Sequence, residues 1–474
     1  MKTECNSREI QFQALGLRKV VADFGGGQVS SDGGALLLGE INRATGIIES
    51  FAKCFTDHRD EERIEHSVLH LIGQRVFALA LGYEDLNDHD KLRQDPLLAA
   101  LVRKLDPVGA DRRCERDKGN PLAGKSTLNR LELTPQDATA KSRYQKIVYD
   151  AGAIDRFFVD AFLNAHASPP KEIVLDPDAT DDPLHGTQEG RFFNGYYGHY
   201  CYLPLYIFCG DFPLCARLRP SNIDPSKGAL EELQRIVPQI RERWPEVRII
   251  VRGDSGFCRE ELMAWCEKEE NKVDYVFGLA RNSRLVKEIE PMMKEAREEY
   301  ERSKAPARRF KEFQYQTLTS WSRARRVVGK AEFLEKGANP RFIVTSLSEE
   351  RWKARELYEK FYCARGEMEN RIKEQQLDLF ADRASARTMR ANQLRLWMST
   401  AAYLLLNELR RLGLKGTEMA RAQAGTIRSR LLKIGAQIKV TVRRVWVRLS
   451  SAYPLEELFE QIVTNIRREY PMRT

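Results

Sequence analysis

Residues 173–182 read Ile173-Val174-Leu175-Asp176-Pro177-Asp178-Ala179-Thr180-Asp181-Asp182. The apolar run opens a strand, and Asp176 and Asp178, two apart, share one face of it. Asp181 and Asp182 follow just past its end. Downstream, aromatic β-rich segments at 192–197 and 200–209 lead through the turn Cys209-Gly210-Asp211 to a strand at 214–218. A helix at 229–244 places Leu230, Leu233, Ile236 and Ile240 on one face. A strand at 247–251, a helix at 259–269 and a strand at 275–279 follow.

Three strands, helix, strand, helix, strand is the order of an antiparallel meander feeding crossovers. It predicts an α/β fold with an RNase H-like sheet. The chain before Pro169-Pro170 reads mainly helical. A β-like opening at 20–31 ends at Ser31-Asp32-Gly33-Gly34, and a helix begins near Ala35. Ile64, Val68, Leu71, Ile72, Val76 and Leu79 keep a helical period over 61–81, and 87–104 and 136–165 read as further helices. Residues 281–346 break the pattern with a charged helix at 284–302, a basic hinge at 304–309 and β-like pieces at 313–319, 325–333 and 341–346. We read this segment as a β-containing insertion. A long helix at 349–379 resumes the interrupted domain, and a helix at 391–412 leads into a basic tail. The expected divisions are 1–165, 166–280, 281–346, 347–395 and 396–474.

The 474-residue chain is 42% hydrophobic and 31% charged with mean hydropathy −0.50, the profile of a folded protein that is neither disordered nor membrane-bound. The opening MKTECNSREIQF lacks an apolar stretch, so no signal peptide is expected. His70, Gln74 and Arg75 interrupt the most apolar helix, 68–81, so no membrane span is expected either. Nine cysteines, the first at Cys5, form no CxxC pair and read as thiols of a reducing cytoplasm. A net charge of +9 and a pI near 9.0 favour a polyanion partner where the charge is clustered.

Two constellations carry chemistry. Asp254 ends the apolar strand in Val251-Arg252-Gly253-Asp254-Ser255-Gly256, so it joins Asp176 and Asp178 as a carboxylate at a strand end. Carboxylates gathered there repel one another unless a cation neutralises them, and Mg²⁺ prefers such oxygens. Turn and cap aspartates are the alternative reading. In the long helix, Tyr362, Arg365 and Glu369 fall at about 0°, 300° and 340°, and Lys373 and Gln376 extend that face. Glu367 points away from it. A solvated helix with an ion pair such as Glu369 with Lys373 is the alternative.

Together these pieces resemble the DDE transposases of bacterial insertion sequences, the group-one DDE class distantly related to piggyBac elements. The matching text is 175–186, Phe193-Asn194-Gly195-Tyr196-Tyr197-Gly198, 251–257 and the Y-x2-R-x3-E pattern of Tyr362, Arg365 and Glu369. The resemblance implies catalytic and metal-ligating roles for Asp178, Asp254 and Glu369. Asp178 is preferred to Asp176 because it holds the family's Asp-x-Thr position. It implies two Mg²⁺ ions, about 3.5–4 Å apart, with Mn²⁺ able to substitute and Asp178 bridging them. Tyr362 and Arg365 would hold DNA phosphates. The family's Lys seven residues after the Glu is Gln376 here, and Lys373 stands in for it. The implied function is cleavage at terminal inverted repeats and joining to target DNA, by a homodimer in the synaptic complex, in the bacterial cytoplasm at the nucleoid. The region to 165 becomes a helical DNA-binding region, the RNase H-like domain the catalytic one, and 396–474 a basic DNA-binding and assembly region. A catalytically silent DNA-binding protein of transposase descent is the rival reading.

Gly119 to Ser126 fits G-x4-G-K-[ST], yet the charged run before it leaves no room for a strand and Pro121 lacks an N–H. No nucleotide cofactor is expected. The stretch reads instead as a helix start capped by Ser126 or Thr127. Asn129 and Arg130 on that helix suit major-groove contacts, and a plain structural helix is the alternative. From Arg421 to Arg448 eight Lys and Arg occur in 28 residues without one Asp or Glu, which nearly equals the whole net charge. Arg443 and Arg444 are the expected phosphate contacts there, with a solvated basic face as the alternative. Trp321, ahead of Arg323, Arg325 and Arg326, reads as a packed ring or as a stacking platform for an unpaired base. His66 and His70 stand one helical turn apart without a second ligand pair, so a core or interface role is expected rather than zinc.

Overall fold

The computed structural model describes residues 9–471, so Cys5 and most of the opening read for a leader lie outside the described residues. The chain forms two units, Asp150–Thr400 and the pair of segments Met1–Tyr149 with Ala401–Thr474.

The first of these units is a mixed α/β structure around one large sheet. Its strands are β1 (Glu172–Ala179), β2 (Leu205–Cys209), β3 (Phe212–Arg217), β4 (Arg248–Gly253), β5 (Val273–Leu279), β6 (Ala307–Tyr315), β7 (Arg325–Leu334), β8 (Gly337–Ala338) and β9 (Arg341–Thr345). Their order is β3-β2-β1-β4-β5-β9-β7-β6, with β8 paired to β7. β1 is antiparallel to β2 and parallel to β4, and β4 is parallel to β5. The strands of the 281–346 segment lengthen this same sheet, β9 pairing antiparallel with β5.

Pro177 sits within a central strand, where a missing N–H is normally excluded. The register explains it. β1 pairs with β4 only from Glu172 to Leu175, and beyond that point β1 keeps β2 alone. The two parallel strands therefore part past Leu175 and Val251, so Asp176, Asp178, Arg252 and Asp254 all lie beyond their last shared pair. The outer ends of parallel strands where pairing stops are the usual place for a ligand crevice in an open sheet.

One sheet face is covered by the segment leading to Glu369. Ile250, Val276, Val328 and Ile343 pack with Leu347, Leu357, Tyr358 and Phe361 in one buried cluster. The helix expected to run unbroken over 349–379 is interrupted. It begins with Ala354–Glu356, widens into a π turn at Leu357–Tyr362, tightens at Cys363–Arg365, and continues as α1 (Gly366–Leu379). Burying Leu357, Tyr358 and Phe361 together on the sheet overrides the regular helical turn. The charged helix expected at 284–302 is also two, Ser283–Glu288 and Glu290–Ser303, because Pro291 starts the second.

In the other unit, Gln28–Ser30 pairs with Ala436–Val440, which pairs with Val445–Leu449. Gly33 and Gly34 are needed here. A side chain at either would strike the 431–436 backbone or its side chains, and Gly33 N–H donates to Ile434 O at 2.8 Å. The helix expected over 61–81 is Val68–Ala80, because Ser67 Oγ accepts from His70 N–H and fixes its start. The expected helix at 136–165 is confined to Ala151–Asn164, preceded by the short strand Ile147–Tyr149, and 87–104 holds two short helices, His89–Leu92 and Pro96–Leu101. Among the described residues no helix is long and apolar enough to cross a membrane.

Candidate active site

Asp178 lies at the end of β1 and Asp254 directly after β4. Asp176, two residues before Asp178, is committed elsewhere. It accepts two hydrogen bonds from Arg252, both 2.7 Å, and is 3% exposed. Arg252 also donates to Phe361 O at 2.5 Å, so this buried pair ties β1 and β4 to the π turn. A sequence signal for it existed: a buried arginine in an apolar strand must find an acid.

Glu369 stands in the first turn of α1, one turn after Arg365. Arg365 donates to Glu369 Oε1 at 2.5 Å and to Asp178 Oδ2 at 3.4 Å. One guanidinium thus links the strand end to the helix. Burial works against its charge, but Asp178 and Glu369 outweigh that and hold Arg365 above its ordinary range. Asp178 is pushed up to about 7, first by burial and then by Asp254 and Glu369, against the opposing pull of Arg365. The three carboxylates therefore share one electrostatic neighbourhood. Asp254 is shaped by its own turn, Oδ1 accepting from Gly256 N–H at 2.7 Å.

Tyr362 completes the wall. A Cβ at Gly278 of β5 would stand 2.5 Å from Tyr362 Oη and 2.9 Å from Ser255 N. Glycine in this strand lets Tyr362 and the 254–255 turn approach together, the role a strand glycine often marks. Burial raises the Tyr362 phenol, and Asp254 adds to it. Gln376 donates to Asp181 O at 3.0 Å and to buried Asp182 at 3.1 Å, whereas Lys373 is exposed.

The all-oxygen donor set of Asp178, Asp254 and Glu369 fits a hard divalent cation in kind. Repulsion from Asp254 and Glu369, which adds to burial in raising Asp178, is what such a cation relieves. As arranged, with Arg365 between Asp178 and Glu369, the acids are not drawn to one point. Among the described residues no three His, Cys, Asp or Glu side chains are gathered closely enough to hold an ion.

Of the remaining expected residues, Trp321 belongs to the same unit as these acids and Asn129, Arg130, Arg443 and Arg444 to the other. Trp321 is 6% exposed, with Tyr315 edge-on at 5.7 Å and Arg325 over its ring at 5.4 Å, so the ring is packed rather than offered to a base. Asn129 and Arg130 are exposed on the helix Lys125–Glu132, whose other face buries Leu128, Leu131 and Glu132. Neither Ser126 nor Thr127 caps that helix. It starts one residue earlier, and Lys125 N–H is satisfied by Asp90 Oδ1 at 3.1 Å, an acid distant in sequence. The preceding residues form a short turn at Glu115–Asp117 and no strand. Arg443 and Arg444 are exposed at the hairpin tip between Ala436–Val440 and Val445–Leu449, with Arg444 over Trp446 at 5.4 Å. His66 Nε2 accepts from Arg112 at 2.8 Å, which gives the ring a structural partner.

The family described as transposase DDE domain group 1 matches residues 12–471. Among solved structures the chain is similar to piggyBac transposase in a cryo-EM structure of its synaptic complex with hairpin DNA. The identity is 13%, over 92% of this chain and 85% of that one, with a TM-score of 0.41. No curated protein matches the chain in sequence.

Proposed function

The chain belongs to the transposase DDE domain group 1 family, and from that premise we propose a DNA transposase that cuts the ends of its own element and joins them to target DNA. The observation that carries this reading is the placement of Asp178 and Asp254 just past where β1 and β4 part, with Glu369 linked to Asp178 through Arg365. The order β3-β2-β1-β4-β5, with β1 parallel to β4 and antiparallel to β2, supports reading this part as RNase H-like.

Asp178, Asp254 and Glu369 would hold Mg²⁺, which when bound supplies charge to activate the attacking oxygen and stabilise the leaving one. The protein's own groups do the rest. Asp176 and Arg252 brace β1 against β4, so Asp178 and Asp254 keep their places. Arg365 holds Asp178 and Glu369 together and, as a planar fork, is suited to take a DNA phosphate in exchange for a carboxylate. Tyr362, wedged beside Asp254, offers a hydroxyl to the same strand. Gln376 is spent on Asp182, so Lys373, exposed one turn earlier, takes the position facing DNA. Asn129, Arg130, Arg443 and Arg444 supply contacts along the duplex. Synapsis of two ends calls for at least two copies of the chain.

The test is incubation of the purified chain and its Asp254→Asn variant with duplexes carrying the element's ends and Mg²⁺. The unaltered chain is expected to cut at the ends, and the variant to bind them and not cut. Cleavage surviving in Asp254→Asn would sink the assignment. Binding without cleavage by the unaltered chain would favour a silent DNA-binding protein.

A further inference from the structure

Strands Phe192–Asn194 and His199–Tyr202 form a small hairpin inserted between β1 and β2, and the rings of Phe192, Phe193, Tyr196 and Tyr200 face outward. Tyr196 is 90% exposed and Phe193 56%. Leaving such rings in water forgoes the burial that ordinarily stabilises them. The tip that carries them is nevertheless built with care. Asn194 Oδ1 accepts from Tyr196 N–H at 3.0 Å and Tyr197 N–H at 3.4 Å, and its Nδ2 donates to Ser221 O at 2.9 Å. Ser221 Oγ in turn donates to Phe192 O at 3.0 Å, and Gly198 turns the chain at φ +76°. Rings brace one another, Tyr196 on Tyr197 at 5.0 Å and Phe193 on Tyr200 at 5.5 Å, while Arg191 lies 3.7 Å over Tyr200.

The hairpin also touches Asp181, three residues past Asp178. His199 Nε2 bonds Asp181 Oδ2 at 2.7 Å. The Tyr197 phenol is pushed up to about 12, first by burial and then by the carboxylates of Asp181 and, among others, Asp178. The register pairs Asp182 with Tyr202 and Pro183 with Cys201, so the hairpin is tied to the segment that leaves β1 just after Asp178. An aromatic face accepts any base by stacking, and the Arg191 guanidinium beside it suits a phosphate backbone.

We propose that the 192–202 hairpin is a DNA-contacting element of the active site, on which Tyr196 stacks against a base unpaired beside the cut. The proposal rests on the reading of the chain as a DNA-cutting enzyme. The occupant is a nucleic-acid base rather than a second copy of the chain, because a cation, Arg191, lies over the hairpin's exposed Tyr200 ring and His199 anchors the hairpin to Asp181, three residues past Asp178.

The experiment uses the full chain and duplexes carrying the element's ends, with 2-aminopurine placed singly at each position spanning the cut. Fluorescence is read with Ca²⁺ in place of Mg²⁺, and cleavage separately with Mg²⁺. With the unaltered chain, one position next to the cut is expected to change its fluorescence on binding. Tyr196→Ala is expected to lose that change and to cut about tenfold more slowly, the scale of one lost base stack. Tyr196→Trp is expected to keep both. A fluorescence change that is unaltered in Tyr196→Ala overturns the proposal. So does a variant that alters self-association in sedimentation while leaving the fluorescence intact. Failure of the unaltered chain to cut overturns the functional reading instead, and the Ca²⁺ fluorescence still decides the hairpin's role.

Discussion

Arg323, Arg325 and Arg326 fall within four residues, and Arg443, Arg444 and Arg448 within six. Read as text the two clusters look alike, each with a tryptophan nearby. In the structure they have opposite fates. The Arg325 side chain is 2% exposed, held by Glu260 at 2.6 Å and Glu267 at 2.6 Å. Arg326 is matched by Glu312 at 2.8 Å across β6 and β7. On the C-terminal hairpin Lys439, Arg444, Trp446 and Arg448 are exposed, and the register pairs Lys439 with Trp446 and Gln437 with Arg448. Cross-strand partners share a face, so these basic groups and the indole form one outward strip. Charge in the first cluster joins the helix Glu260–Cys266 to the sheet; charge in the second is left for a partner.

The sharpest way to break this contrast is Arg325→Ala. Removing one member of a buried pair strands the other, at a cost of about 3–5 kcal/mol. The variant is expected to unfold at clearly lower denaturant concentration. An unchanged midpoint would mean the cluster is not structural.

Acid should act on the same cluster. Burial pushes the Glu260 and Glu267 carboxyls up, but their hydrogen bonds to Arg325, with help from Ser322 and Tyr275, more than offset it and hold both below the ordinary 4.5. With folded pKa values depressed, their stabilisation is present above about pH 4.5 and is lost as pH falls through the folded values. Stability measured from pH 6 downward should drop below about 4.5, and Arg325→Ala should flatten that drop. A variant as acid-sensitive as the parent would place the effect elsewhere.

Why the clusters could not be told apart beforehand is physical. The acids that neutralise Arg325 lie 58 and 65 residues away in sequence. Composition within a window carries no trace of them. A separation of 35 residues likewise defeated the expected cap at Ser126 or Thr127, since the acid that serves that helix start is Asp90. What was legible is what local pattern dictates: apolar runs that became β1, β4 and β5, and carboxylates at the ends of β1 and β4. The helical face of Tyr362, Arg365 and Glu369 was legible in part. Arg365 and Glu369 do stand one turn apart, but the π turn at Leu357–Tyr362 follows from packing on the sheet, which a fixed angle per residue ignores. The Asp176–Arg252 pair was missed because both residues sit in plain view inside text read for Asp178 and Asp254.

In the C-terminal hairpin the expected effect is on binding, not folding. Arg443→Ala with Arg444→Ala removes two exposed charges, so stability should change by no more than about 0.5 kcal/mol. If each contacts one phosphate, the slope of log affinity against log salt should shrink by about 1.8. An unchanged slope would mean the strip does not meet DNA.

The smallest expected effect is the most discriminating, because it divides the first cluster against itself. Arg323 pairs with Glu267 at 3.1 Å, yet its side chain is 60% exposed, while that of Arg325 is 2% exposed. Removing Arg323 leaves Glu267 with both of its Arg325 hydrogen bonds, 2.6 and 2.9 Å. No buried charge is stranded, and an exposed pair contributes about 0–1 kcal/mol. Arg323→Ala should therefore unfold within about 1 kcal/mol of the parent and leave the salt slope of DNA binding unchanged. A loss as large as that of Arg325→Ala would show that the three arginines act as one unit. A smaller salt slope would show that Arg323, alone of its cluster, reaches DNA, and the line between structural and DNA-facing charge would then run through residue 323 rather than between the two clusters.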